Sequence, residues 1–122
     1  MQNGQHIRSA FDKALEGIQA NMLKMGGLVE ANIISAAKAL EERDVELAEK
    51  VRERDRQIDN LEELINDGIS RFIAQESPVA TDLRVLLSIL KVSNNLERIG
   101  DHAKNTAKRT HCLLYTSPSP RD

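Results

Sequence analysis

Tryptophan is missing from this chain, and aromatic residues make up only 2% of it. A core built on stacked rings is therefore excluded, and the buried residues must be aliphatic. There is one cysteine, Cys112, which leaves no pair for an intrachain disulfide and no cysteine-rich metal site. Three prolines are present, and only Pro78 lies outside the last five residues, so the body of the chain is nearly free of helix breakers. No apolar run approaches the length of a membrane span. Met1 to Ile7 is polar with no apolar stretch after it, so a signal peptide is not expected and a cytoplasmic location is. The net charge of -2 offers no basis for nucleic acid as a partner.

What remains is rich in Ala, Leu, Ile, Glu, Lys and Arg, a stock that favours helix. A length of 122 residues fits one domain. No segment shows the two-residue period of a strand, so the expected class is all-α.

The last residues differ from the rest. Cys112 to Asp122 holds the only cysteine, the only tyrosine and two of the three prolines. This string resembles the translation of a transposon adapter used to prepare DNA for sequencing, and it is set aside from fold reasoning. Setting it aside removes one Arg and one Asp and leaves the net charge at -2. The expected layout is a helical bundle over 1–111 and a non-native tail over 112–122, with the natural coding sequence interrupted near His111.

The body divides into three helices. The first spans about Gln5 to Glu41, with Phe11, Leu15, Ile18, Met22, Met25 and Val29 in a heptad-like stripe that Ile33, Ala36 and Leu40 extend. Gly26-Gly27 is its weak point, read as a kink or as close packing against a neighbour. Asp44 is a suitable N-cap for the second helix, with Glu46 in the first turn. Its stripe is Val51, Asp55, Ile58, Glu62, Ile65, Ile69 and Phe72, widened by Leu61, Leu64 and Ile73. Ser77 and Pro78 are expected to open the third helix as N-cap and first helical residue. That helix runs to about Thr110, with Val85, Ile89, Val92, Leu96, Ile99 and Ala103 as its core stripe. Short connections make neighbouring helices antiparallel. Leu83, Leu86, Leu87 and Leu90 then form a second apolar face, which predicts a further packing partner, either another domain or a second subunit.

Along this second face leucine gives way to Asn94, Glu97, Asp101 and Asn105. Glu97 and Asp101 are four apart and lie one above the other on a helix. Helix two carries its own pair, Asp55 and Asp59, with Glu62 one turn on. In an antiparallel arrangement both pairs come near the same end of the bundle, where they repel unless something positive lies between them. Oxygen-only donors suit hard cations such as Mg²⁺, Mn²⁺ or Fe³⁺. His102 sits about 100° round the helix from Asp101 and reads as a surface residue. With 30% of residues charged, acidic pairs four apart also arise by chance on solvated faces, as Glu42 and Glu46 do. A polar partner surface therefore stands beside the cation reading.

Asp82-Leu83-Arg84 followed by Leu96-Glu97-Arg98-Ile99-Gly100-Asp101-His102-Ala103 resembles the signature of the PhoU family. Ala39-Leu40 followed by Asp44, Ala48, Val51 and Asp55 is similar to the same family's repeat. The resemblance covers about Phe11 to Lys108. It implies an antiparallel three-helix bundle that is one of two tandem repeats, with Asp55/Asp59 and Glu97/Asp101 at the positions of the family's acidic motifs. It further implies a metal site at Asp55, Asp59, Glu97 and Asp101, homodimerisation, and cytoplasmic regulation of phosphate uptake. The implied partners are a phosphate ABC transporter ATPase and a sensor histidine kinase, with membrane association through those partners only. Only one repeat is present here, which puts the regulatory activity of the fragment in doubt. Two other classes stay open. A di-iron carboxylate enzyme would use Glu-x-x-His ligands, which this sequence lacks, and no enzyme is expected. A metal-free helical adaptor would show no cation-dependent stability.

Overall fold

The structure, a computed structural model, describes residues 2–115, with side chains over 11–113. Three helices account for almost all of it: α1 (Gln2–Glu42), α2 (Val45–Glu76) and α3 (Ala80–Tyr115). At 1.5 Å per residue they are roughly 50–60 Å long. Each packs against both of the others. This is the all-α three-helix bundle expected from the periodicity.

The connections are very short. Arg43 adopts a left-handed backbone with φ 57°, and the Asp44 amide donates back to the Ala39 carbonyl at 2.9 Å. That 6→1 bond closes α1 in a Schellman-type turn, with arginine where glycine is usual. Asp44 then caps α2: its Oδ1 accepts from the Leu47 amide at 3.1 Å. The second connection differs from expectation. Ser77 is the left-handed C-cap of α2, with φ 45° and ψ 61°, and α3 starts at Ala80. The Ser-Pro pair stops one helix and does not start the next, because proline cannot continue α2. α3 also runs past Thr110. Cys112 and Leu113 continue it as exposed residues, and 116–122 lie outside the described residues.

The core has two parts. The larger is aliphatic, with Ile18, Met25, Val29, Ile58, Leu61, Ile65, Ile69, Leu86 and Ile89 around Phe72. Phe11 meets Phe72 edge-on, ring centroids 4.4 Å apart. Towards the α1–α2 connection the core thins to Ala36, Ala39, Ala48, Val51, Ala103 and Ala107. Small side chains there let the helix axes approach closely.

The inward face of α3 keeps Ile89, Leu96 and Ala103 of the expected stripe but moves by one residue at the other three positions, to Leu86, Ser93 and Gly100. Its buried positions are Leu86, Ile89, Ser93, Gly100, Ala103, Ala107 and Thr110, while Val92 and Ile99 are exposed. With half-buried Leu96 added, these positions alternate spacings of three and four without a break, as a coiled-coil seam requires. Hydrophobicity alone favoured Val92 and Ile99. Close packing instead selects Ser93, whose hydroxyl is satisfied by the Leu90 carbonyl at 2.9 Å, and Gly100. α1 shows the same substitution of small or polar for apolar: Asn32 is buried and Ile33 exposed. The Asn32 amide donates to the Val51 carbonyl at 3.0 Å, tying α1 to α2. On α2, Leu64 and Ile73 are exposed, and Glu62 lies at the edge of the stripe. α1 passes unbroken through Gly26-Gly27; a Cβ at Gly26 would meet the Leu96 side chain of α3 at 4.0 Å, an ordinary contact, and one at Gly27 would meet nothing within 4 Å, so close packing does not require either glycine.

The Leu83/Leu86/Leu87/Leu90 face is consequently not a free surface. Leu86 is fully buried, Leu83 and Leu90 are half-buried, and only Leu87 is exposed. Leu86→Ala is expected to cost about 2–5 kcal/mol, as for other fully buried leucines, whereas Leu87→Ala should cost well under half of that. Urea denaturation of the two variants checks this; equal losses would restore the original assignment of faces.

Candidate functional site

The acidic residues gather where the aliphatic core gives way to the alanine core, in the groove between α2 and α3. Asp55 occupies an inward position of α2 between Val51 and Ile58, and it is 3% exposed. Its Oδ2 is ion-paired with the Lys104 ammonium of α3 at 3.4 Å. Its Oδ1 is buried without a hydrogen-bond partner. Opposite it is Gly100, where an added Cβ would sit 3.6 Å from that oxygen. The missing side chain at 100 thus leaves space beside the one unsatisfied carboxylate oxygen of the pair.

Asp59 lies one turn on, largely exposed, on the same groove. The groove has a volume of about 240 Å³ and is lined by Arg52, Asp55, Arg56, Asp59, Lys104 and Lys108. Two carboxylates therefore share it with four cationic side chains. Arg52 is also engaged by Glu49 at 3.2 Å on the outer face.

Glu97 and Asp101 form the second pair on α3, both half-buried. The Glu97 carboxyl is pushed up to about 7, first by desolvation, then by a hydrogen bond to the Asp101 carboxyl and the negative charge of Asp101, Glu62 and Asp59. Asp59 is raised by desolvation and then by Asp55, with Lys104 opposing. Glu62 is raised by desolvation, then by Asp59 and Asp101. These mutual effects place the two pairs and Glu62 in one electrostatic neighbourhood, as the antiparallel reading required. Among the described residues, no three His, Cys, Asp or Glu side chains are placed around a common point to hold a metal ion. Carboxylate oxygens are the donor type a hard cation takes, and one of them is buried and unpartnered, but in the groove itself Asp55 and Asp59 already face four cationic side chains.

Asn94 and Asn105 are exposed. His102 is exposed and lines a hollow on the α1 side with Ile33 and Ile99, away from the carboxylates as its helical phase predicted. The residues that sequence reasoning missed are Lys104 and Gly100. Lys104 follows Glu97 by seven and Asp101 by three, so heptad spacing placed it on that face; attention to carboxylates alone passed over it.

Comparison with known proteins agrees with this architecture. Residues 22–110 match the PhoU domain. The phosphate-specific transport system accessory protein PhoU homologue of Pseudomonas putida is 43% identical over 95% of this chain and 45% of its own length. That of Pseudomonas aeruginosa is 42% identical over 95% of this chain and 48% of its own. The crystal structure of PhoU from Pseudomonas aeruginosa superposes with a TM-score of 0.84 at 42% identity, covering 91% of this chain and 53% of that one. The fold and the match together define an all-α PhoU-type bundle. The chain belongs to the PhoU domain family, and it spans about half the length of the curated relatives it matches.

The raised Glu97 carboxyl gives a pH prediction. Its folded-state value of about 7 lies above the ordinary 4.5, so the folded state favours the protonated form. Glu97's contribution to stability is complete below the ordinary value and is lost as pH rises through 7. Asp59 and Glu62 act in the same direction. The parent chain should therefore lose stability relative to Glu97→Gln between pH 5 and pH 8, measured by urea midpoints. A constant difference across that range would mean that Glu97 titrates normally.

Proposed function

We propose that this chain acts in the cytoplasmic regulation of phosphate uptake and of the phosphate-starvation response, as a binding protein and not an enzyme. Its partners are the ATPase of a phosphate ABC transporter and a sensor histidine kinase, and it reaches the membrane only through them. The observation that carries the reading is the PhoU domain match over residues 22–110, together with relatives named as accessory proteins of the phosphate-specific transport system. Among the described residues no helix is long and apolar enough to cross a membrane. Immobilised chain should retain the purified ATPase subunit of a phosphate transporter and not an unrelated ABC ATPase. Equal retention of both would overturn the assignment.

Homodimerisation belongs to the same reading. Because Leu86 is core, an apolar contact would use the α1/α3 side, where Ile33, Val92 and Ile99 are exposed. A hollow of about 370 Å³ there is lined by Met22, Val85, Ile89 and Val92 among others.

Within this function, Asp55, Asp59, Glu97 and Asp101 form a face for a hard cation, Mg²⁺, Mn²⁺ or Fe³⁺. Glu97, Asp59 and Glu62 are raised first by desolvation and then by neighbouring carboxylates, and a bound ion would offset that second contribution. The metal-free adaptor reading has the Lys104–Asp55 ion pair in its favour, since that pair already supplies a positive charge. Mn²⁺ separates the two. At a hundredfold excess over the dissociation constant it should stabilise the parent by about 2.7 kcal/mol, and should leave Glu97→Gln/Asp101→Asn unchanged. Equal melting shifts in both proteins would place the ligands elsewhere.

A further inference from the structure

We infer that one buried water molecule is built into the core between the three helices, held by Asp55 and Asn32 in room that Gly100 leaves. The site is separate from the cation reading and is tested with no cation present.

Three observations carry the inference. First, two acceptor oxygens are buried at inward positions without a hydrogen-bond partner: Oδ1 of Asp55 on α2 and Oδ1 of Asn32 on α1. Asp55 is 3% exposed and Asn32 0%. An acceptor so placed costs its full desolvation unless something donates to it. Second, the two residues share one layer of the bundle. The Asn32 amide donates to the Val51 carbonyl at 3.0 Å, and Asp55 follows Val51 by one helical turn. Gly100 closes the layer on α3: Ile33, next to Asn32, shares a hollow with Ile99, next to Gly100. The layer is thus polar on two helices and lacks a side chain on the third. Third, there is room. A Cβ at Gly100 would stand 3.6 Å from the Asp55 Oδ1 and 3.7 Å from the nearest Ile58 carbon, both ordinary contacts. Where a methyl group fits, a water molecule fits too.

The chemistry selects water. Both unpartnered atoms are acceptors, so the occupant must donate twice. Water gives one hydrogen to each oxygen, the usual role of a buried water among polar groups. Lys104 takes the other Asp55 oxygen at 3.4 Å, and the carboxylate is then satisfied on both sides. Gly100 makes the site, because any side chain there takes the place of the water.

Steric fit and the water site predict opposite signs for Gly100→Ala. Alanine in place of a helical glycine ordinarily stabilises, and here its Cβ meets no clash. With a water in that room, the methyl group expels it and strands both oxygens. Gly100→Ala should therefore melt about 4 °C or more below the parent. Gly27→Ala, whose Cβ meets nothing within 4 Å, gains the same propensity and should melt no earlier than the parent. In an Asp55→Ala background, Gly100→Ala should raise the melting temperature, since the charged acceptor is gone. All are measured in EDTA on the 122-residue chain.

The direct readout is magnetisation transfer from water to the Gly100 α-protons and the Ile58 methyl groups. The parent should show transfer with the sign of a long-lived bound molecule, and Gly100→Ala should lose it. Should Asp55→Ala fail to fold, this transfer in the parent decides alone. A parent without it would overturn the inference even if Gly100→Ala melts early, since packing alone would then explain the loss. A Gly100→Ala variant that melts above the parent would overturn it as well. Neither result bears on cation binding by the carboxylate face.

Discussion

The ion pair between Asp55 and Lys104 constrains the register of α2 against α3. A carboxylate placed in an inward stripe would cost several kcal/mol if left uncompensated. Its partner lies on the facing helix, at 3.4 Å. Sliding or rotating α3 by one residue would withdraw Lys104 and bring a different residue in place of Gly100. The aliphatic residues on either side tolerate such shifts far better, because burial energy is non-directional. The polar pair therefore specifies what the hydrophobic stripe only favours. The Asn32 amide plays the matching part between α1 and α2, through its bond to the Val51 carbonyl.

This arrangement explains why the site lies where it does. The long-chain core of Ile, Leu, Met and Phe holds the helices apart at one end, and the alanine cluster draws them together at the other. The acidic groove opens at the transition. There α2 and α3 are close enough for side chains from both to interact across the groove, and Gly100 leaves room beside Asp55. Desolvation first, and then neighbouring carboxylates, raise the proton affinity here, as Glu97 shows at about 7. Stability has been given up locally for a polar face, and the aliphatic end compensates.

Sequence reading and structure agree most closely on α2. Its stripe from Val51 through Asp55 to Phe72 was legible because inward residues recur there at steady spacing and the N-cap Asp44 fixes the phase. The reading of α3 was right at Ile89, Leu96 and Ala103 and displaced by one residue at three other positions. Val92 and Ile99 are the more apolar candidates, but Ser93 and Gly100 point inward, because a close helix contact rewards small volume and a satisfied hydroxyl over hydrophobicity. Ile33 and Asn32 on α1 repeat the lesson. The apparent surplus of leucine on α3 followed from that displacement, and Leu86 belongs to the core.

By itself the sequence determined the helical class, the number of helices, the Asp44 cap, the aliphatic character of the core and the pairing of Asp55 with Asp59 and of Glu97 with Asp101. All of these are local: composition, period and capping act within a few residues of one another. Only the tertiary structure decided which face of α3 turns inward, that Lys104 neutralises Asp55, that one oxygen of Asp55 stays unpartnered, and that desolvation acts on Glu97. Each of these depends on the distance between side chains on different helices. That distance is set by the volumes packed between the helices, and no single helix encodes it.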